Sequence, residues 1–233
     1  MLILQLVLSD SLLNVLPSCK IGTIIYKNIV IGDSPKMLKG RLEFFQEKIY
    51  TDLQQQSVLD YPGVREWHET FKNAGIDPKR YHPSNEALFR RIEKGKSLPF
   101  IHSAADLNNF FSLQYEIPIG IYNYDALSDY IKISMGKEDD SYDGLNGRKN
   151  NMKGKICSFD SKGVFGSPII DSIRTKTDVT TTNAVQIFYL KPSMSETEAK
   201  KLLEAASQMF TQLHSGEALI YLVNNYYQEW TIQ

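Results

Sequence analysis

The chain has 233 residues, enough to bury a substantial core, and its 42% hydrophobic and 23% charged residues are those of a globular protein. A net charge of −1 leaves no surplus of Lys and Arg for indiscriminate phosphate binding, so no DNA partner is expected, although local basic patches fit within the balance. The two cysteines, Cys19 and Cys157, form neither a disulfide framework nor a metal-ligand spacing, which points to a reducing, cytoplasmic setting.

The opening MLILQLVL meets Asp10 within a few residues and lacks a basic leader and a small-residue cleavage site. It reads as a buried strand rather than a signal peptide. No apolar run approaches the roughly 20 residues that span a bilayer, so no membrane partner is expected. IGTIIYKNIVIGD, residues 21–33, suggests a hairpin or two short strands. Ser34-Pro35 then reads as a helix start, and Leu38, Leu42, Phe45, Ile49 and Leu53 follow at helical spacing. A second helix is predicted from Pro62 to Gly75, with Val64, Trp67 and Phe71 as its buried stripe. A third runs from Ser84 to Gly95, where Glu86 precedes Arg90 in the favourable i,i+4 order. A fourth spans about Ser103 to Gln114, with Ser103 and Asp106 placed as a capping box.

The period then changes to two. Ile131, Ile133 and Met135 alternate with Lys132 and Ser134, and KICSF, GVF and VQIFYL add further strands around the loop DGLNGRKNNMKG. Ser195 and Glu198 open a C-terminal helix that Gly216 closes, and ALIYLV returns to a sheet. Helices dominate residues 34–114 and strands 128–190, a segregation that favours an α+β fold. The whole of 1–233 is expected to form one unit, with N-terminal strands and helix over 1–60, a core over 61–190, and a helix and strand over 191–233.

Several chemistries leave no signature. There is no phosphate loop, no nucleophile elbow and no zinc spacing, so neither metal nor cofactor is expected. The four histidines are scattered, and Cys157 sits in a strand pattern as a buried, inert thiol. The central string PSNEALFRRIEKGKSLPFIHSAADLNNFFSLQYEIPIG resembles the B-three/B-four editing-domain family of the phenylalanyl-tRNA synthetase β subunit, especially its stand-alone bacterial members. Ser84, Glu86, Ala87, Leu88, Arg90, Arg91 and Ile92 match that family's helix; Lys94, Gly95 and Lys96 match its turn; and Leu98, Pro99, Ile101, Asp106, Asn109, Pro118, Gly120 and Tyr122 continue the order.

The resemblance implies a three-layer α+β fold with a β-sandwich-like core and a pocket between its halves. It implies hydrolysis of a misacylated aminoacyl-tRNA in trans, with aminoacyl-tRNA or a free amino acid as partner. The candidate substrate-binding residues are Glu86, Arg90, Arg91, His102, Asp106, Asn109, Gly120 and Tyr122; the family has a pocket asparagine at the Asn109 position, and His102, which stands where the family has an asparagine and enters the same helix, joins Asn109 as a catalytic candidate. Asp106 and Asn109, three apart, project from similar directions; an Asn offers donor and acceptor to an ammonium, a carbonyl or a water. Asp106 serving as a cap, and Asn109 as a tie to a loop, is the alternative. One of Arg90 and Arg91 pairs with Glu86 while the other faces a pocket or phosphate, or both lie on a solvated surface. Lys94 and Lys96 extend a basic edge. The sequence departs from the family at Gly120, Asn123, His102, Ser134, Gly136 and Asp139-Asp140, and keeps only Asp171 and Ser172 of a later Arg-Asp element. A non-catalytic amino-acid binder and an RNA-interaction module on the same scaffold are the competing readings.

Overall fold

A computed structural model describes residues 5–225 and the backbone of Thr231–Ile232. Five strands form one antiparallel sheet in the order β11 (Thr231–Ile232), β10 (Glu217–Val223), β2 (Ile21–Lys27), β9 (Ala184–Tyr189) and β3 (Ile119–Asn123). Four more, β1 (Gln5–Leu8), β4 (Tyr130–Met135), β7 (Ile156–Asp160) and β8 (Gly163–Gly166), form a second sheet in which β1 runs parallel to β4. A small hairpin, β5 (Ser141–Asp143) with β6 (Lys149–Asn151), stands beside it.

The short helix α1 (Asp10–Leu13) follows β1, and α2 (Lys36–Asp52), α3 (Pro62–Asn73), α4 (Ser84–Glu93), α5 (Ser103–Tyr115) and α6 (Glu196–His214) make the helical side. Layer order follows from side-chain parity along the central strand β9. Gln186 bonds Asn108 of α5 and receives the hydroxyl of Tyr26, whose ring stacks on Phe210 of α6, so that parity faces helices. Tyr189 has the opposite parity, and its hydroxyl meets Ser158 of β7 in the other sheet. The result is helix, sheet, sheet: the three-layer α+β arrangement expected, with one large apolar core running through all three.

Three local readings need correction. Residues 21–33 form one strand rather than a hairpin, because Asn28 enters the left-handed region at φ 57° and Ile29–Asp33 run on as irregular chain. Ser103 does not cap α5; His102 does, its Nδ1 accepting the Ala105 amide at 3.2 Å. Asp106 is correspondingly free of any capping box and bonds elsewhere. The C-terminal helix keeps its capping box, with Ser195 and Glu198 exchanging hydrogen bonds. Leu2, Ile3 and Leu4 of the predicted first strand lie outside the described residues.

Close layer contact depends on Gly22. A Cβ there would lie 2.5 Å from Leu203 Cδ2 of α6, so a larger side chain must displace the Leu203 side chain. Gly22→Val is expected to cost about 2 kcal/mol in urea unfolding, and Leu203→Ala in the same chain to recover part of it.

Candidate functional site

The predicted site residues fall into three separate groups. The first centres on Glu86, fully buried on α4. His68 Nδ1 of α3 lies 2.9 Å from its Oε2, Arg90 Nε donates to Oε1 at 2.8 Å, and His82 Nδ1 stands 3.1 Å from the same oxygen without hydrogen-bonding geometry. A buried carboxylate is retained only when so surrounded, and this one ties α3, the 77–83 connection and α4 together. Arg91 takes no part; its Nε donates to the Ser97 carbonyl at the protein surface.

The second group lies at the start of α5. Asp106 is fully buried, accepting from Ser34 Oγ at 2.5 Å and from the Ile101 amide at 2.9 Å. His102 has both ring nitrogens committed: Nδ1 accepts from Ala105, which leaves Nε2–H to donate to the Thr177 carbonyl at 3.1 Å. Neighbouring Ser103 donates to His214 Nε2 at 2.8 Å while His214 Nδ1 donates to the Phe210 carbonyl. Burial dominates at His214 and lowers its pKa from 6.5 to about 4, against the raising pull of the Phe210 carbonyl. Asn109 is half-buried and makes no side-chain hydrogen bond among the described residues; Asn108, turned toward the sheet, is the asparagine that bonds Ile119 O and Gln186. His102 and Asp106 are thus spent on anchoring α5 to the segments around Ser34 and Thr177, and Asn109 takes no part in that.

The third group stands between the two sheets. Tyr122 of β3 points toward the second sheet, its ring edge-to-face with Phe165 at 4.9 Å between centroids. Glycines make this possible: Cβ atoms at Gly120 and Gly166 would fall 2.1 and 2.3 Å from the Tyr122 hydroxyl. That hydroxyl donates to Asp171 Oδ1 at 2.5 Å, and the Ile121 amide also donates to this carboxyl. Asp171 is half-buried as a residue, with its carboxyl crowded by protein that includes Tyr142 and Tyr189. Burial pushes its pKa from 3.8 up to about 7, outweighing the two hydrogen bonds that pull it down. Next in the chain, Ser172 lines a cleft of about 440 Å³ with Tyr142, Asp139 and Arg174, and Tyr142 also reaches inward to Ser167 and the Ile170 carbonyl.

A carboxyl that titrates near neutrality can take a proton from water or, ionised, hold an ammonium group. The sequence pointed to this group through Gly120, Tyr122 and the surviving Asp171. Gly166, Tyr142 and Tyr189 carried no local signal, since only the meeting of the sheets brings them there. Both thiols are pushed up by burial, Cys19 to about 12 and Cys157 further, in keeping with inert core residues. Among the described residues no group of His, Cys, Asp and Glu is arranged to hold a metal ion, and no helix is long and apolar enough to cross a membrane.

Comparison with known proteins adds three findings. The model of the B3/4 domain family matches residues 66–217. The uncharacterized protein YhzB of Bacillus subtilis (strain 168) is 31% identical over 195 residues, 84% of this chain and 87% of that protein. An N-terminal fragment of the phenylalanyl-tRNA synthetase β subunit from Pyrococcus horikoshii superposes with a TM-score of 0.49 at 13% identity. That match covers 99% of this chain and 54% of the fragment, so the chain spans about half of the fragment's length.

Two expectations follow from the buried groups. Glu86→Ala strands His68 and Arg90 and is expected to cost about 3 kcal/mol in urea unfolding. Asp171 and His214 oppose each other in pH dependence. Between pH 3.8 and about 7 the folded chain holds more proton on Asp171 than the unfolded chain, so stability falls as pH rises. Between about 4 and 6.5 the folded chain holds less on His214, so stability is lost as pH falls. Asp171→Asn removes the first slope, and its urea midpoint should drop more steeply than that of the parent chain from pH 6.5 to 4.5.

Proposed function

We propose, since the chain belongs to the B3/4 domain family, that it acts on the aminoacyl ester of a charged tRNA, with Asp171 as the acid–base group. The observation that carries this reading is the Asp171 carboxyl itself, held by Tyr122 between the two sheets and poised near neutral pH. In its ionised form it accepts a proton from water as the water oxygen attacks the ester carbonyl. The bond from the carbonyl carbon to the ribose oxygen then breaks, and the proton passes to that leaving oxygen, giving free amino acid and uncharged tRNA. Acid–base help of this kind is worth roughly 10²–10⁴ in rate. Tyr122 serves as the positioning residue, because its short hydrogen bond fixes where the carboxyl points.

A second reading, binding of an amino acid without hydrolysis, is favoured by one specific observation. His102 and Asp106 are committed to backbone and side-chain partners, which leaves Asp171 as the principal acid–base group between the sheets.

A panel of misacylated tRNAs separates the two. Release of free amino acid that falls at least about 100-fold in Asp171→Asn supports hydrolysis. Saturable binding of an amino acid with no release from any tRNA supports the binder instead. For a hydrolase, the rate should rise with pH through about 7 as Asp171 loses its proton.

A further inference from the structure

Helix α2 turns one side to the core and carries an apolar stripe on the other. Leu38, Leu42, Gln46 and Ile49 are buried, whereas Met37 and Phe44 are 70% and 67% exposed. Gly40 lies between them, and steps of three and four residues put Met37, Gly40 and Phe44 on one face. Exposed Ile101 and Phe100 flank the start of the helix. Asp106 takes both the Ser34 hydroxyl and the Ile101 amide, and Lys39 Nζ sits 5.4 Å from the Phe100 ring centroid. With Tyr50, five of the ten large exposed hydrophobic residues among the described residues gather here, the mark of an interaction surface.

Two features of α2 are unfavourable in a single copy of the chain. Glycine weakens a helix interior relative to alanine, and packing within the chain does not call for Gly40, because a Cβ there would meet nothing within 4 Å. The charges also run against the helix dipole: the first turn holds Lys36 and Lys39 and no acid, the last holds Asp52 and no base. Residues 36–41 include three basic side chains and no acid, while residues 43–52 set Glu43, Glu47 and Asp52 against Lys48. Among the described residues none of these charges belongs to an ion pair.

A second copy of the same helix, laid antiparallel, answers both features. A two-fold axis lets one patch serve on both sides of a contact. With that axis at the level of Leu42, Phe44 of each copy lies over Gly40 of the other, where the missing Cβ makes a seat for the ring. Lys36 of each copy then stands beside Glu47 of the other, and the two helix dipoles run in opposite directions side by side. We propose that α2 is the contact surface of a homodimer, formed by antiparallel packing of its Met37–Gly40–Phe44 face on the same face of a second copy. The five-stranded sheet stands between this helix and Asp171, so the pairing does not involve the inter-sheet carboxyl and is independent of the function proposed above.

The test is sedimentation equilibrium of the full chain over roughly a hundredfold range of concentration, which should show a reversible rise from one chain to two. Phe44→Ala and Gly40→Leu should each raise the dissociation constant about tenfold or more, with the circular dichroism unchanged. Both positions face open space in the single chain, so folding does not depend on them. Lys36→Glu and Glu47→Lys should each weaken the dimer, and the two combined in one chain should restore it, because the pair is then reversed on both sides. A chain that stays monomeric at every concentration overturns the proposal, as does a dimer indifferent to either Phe44→Ala or Gly40→Leu. Failure of the double charge reversal to restore the dimer overturns the antiparallel register. A monomer whose Phe44 instead governs binding of a single-stranded oligoribonucleotide assigns the face to another partner and overturns the proposal too.

Discussion

The architecture turns on how Tyr122 crosses from one sheet to the other. A phenol inserted between two sheets must bury its ring and still satisfy its hydroxyl. The ring is accommodated because Gly120 and Gly166 leave room that any Cβ would fill. The hydroxyl is satisfied by Asp171, which brings a carboxyl into a setting that disfavours its charge. The contact that joins the sheets is therefore also the contact that creates a titratable group near neutral pH. Structure and chemistry share one hydrogen bond here.

Elsewhere the interior consumes its polar groups. Glu86 is met by His68 and Arg90, Asp106 by Ser34 and the Ile101 amide, and His102 by Ala105 and Thr177. Each makes two hydrogen bonds within the protein, and a buried polar residue is tolerated when it is partnered in this way. Such residues hold helices in register and have little left to offer a ligand. Asp171, also hydrogen-bonded by Tyr122 and the Ile121 amide, differs because burial raises its pKa to about 7.

Periodic features were legible in the sequence because they depend on near neighbours. The stripe Val64, Trp67 and Phe71 and the Ser195–Glu198 capping box need only local geometry and appear as expected, and the alternation holds from Ile131 to Ile133 but breaks at Ser134, which is buried. Asp106 was misread for the opposite reason. An acid three residues past Ser103 looks like part of a capping box, yet its partner Ser34 lies 72 residues away, where no local pattern reaches. The single strand at Ile21–Lys27 was obscured because residues 21–33 stay apolar past the strand end, and the break depends on the left-handed backbone at Asn28. At the candidate site, Asp171 was visible as a remnant of a family element. Its environment was not, because Gly166, Tyr142 and Tyr189 are assembled only when the sheets meet. The exposure of Phe44 was likewise hidden, since a helical wheel does not show which neighbouring elements cover its edges.

The central claim is that the inter-sheet carboxyl changes its proton at a pH where it can do work. Carbon-13 NMR of the aspartate side-chain carboxyls, assigned by comparison with Asp171→Asn, measures this directly. The account predicts a resonance that titrates near pH 7 and vanishes in that variant. A resonance for Asp171 that titrates near 4, as an ordinary exposed aspartate does, would contradict it.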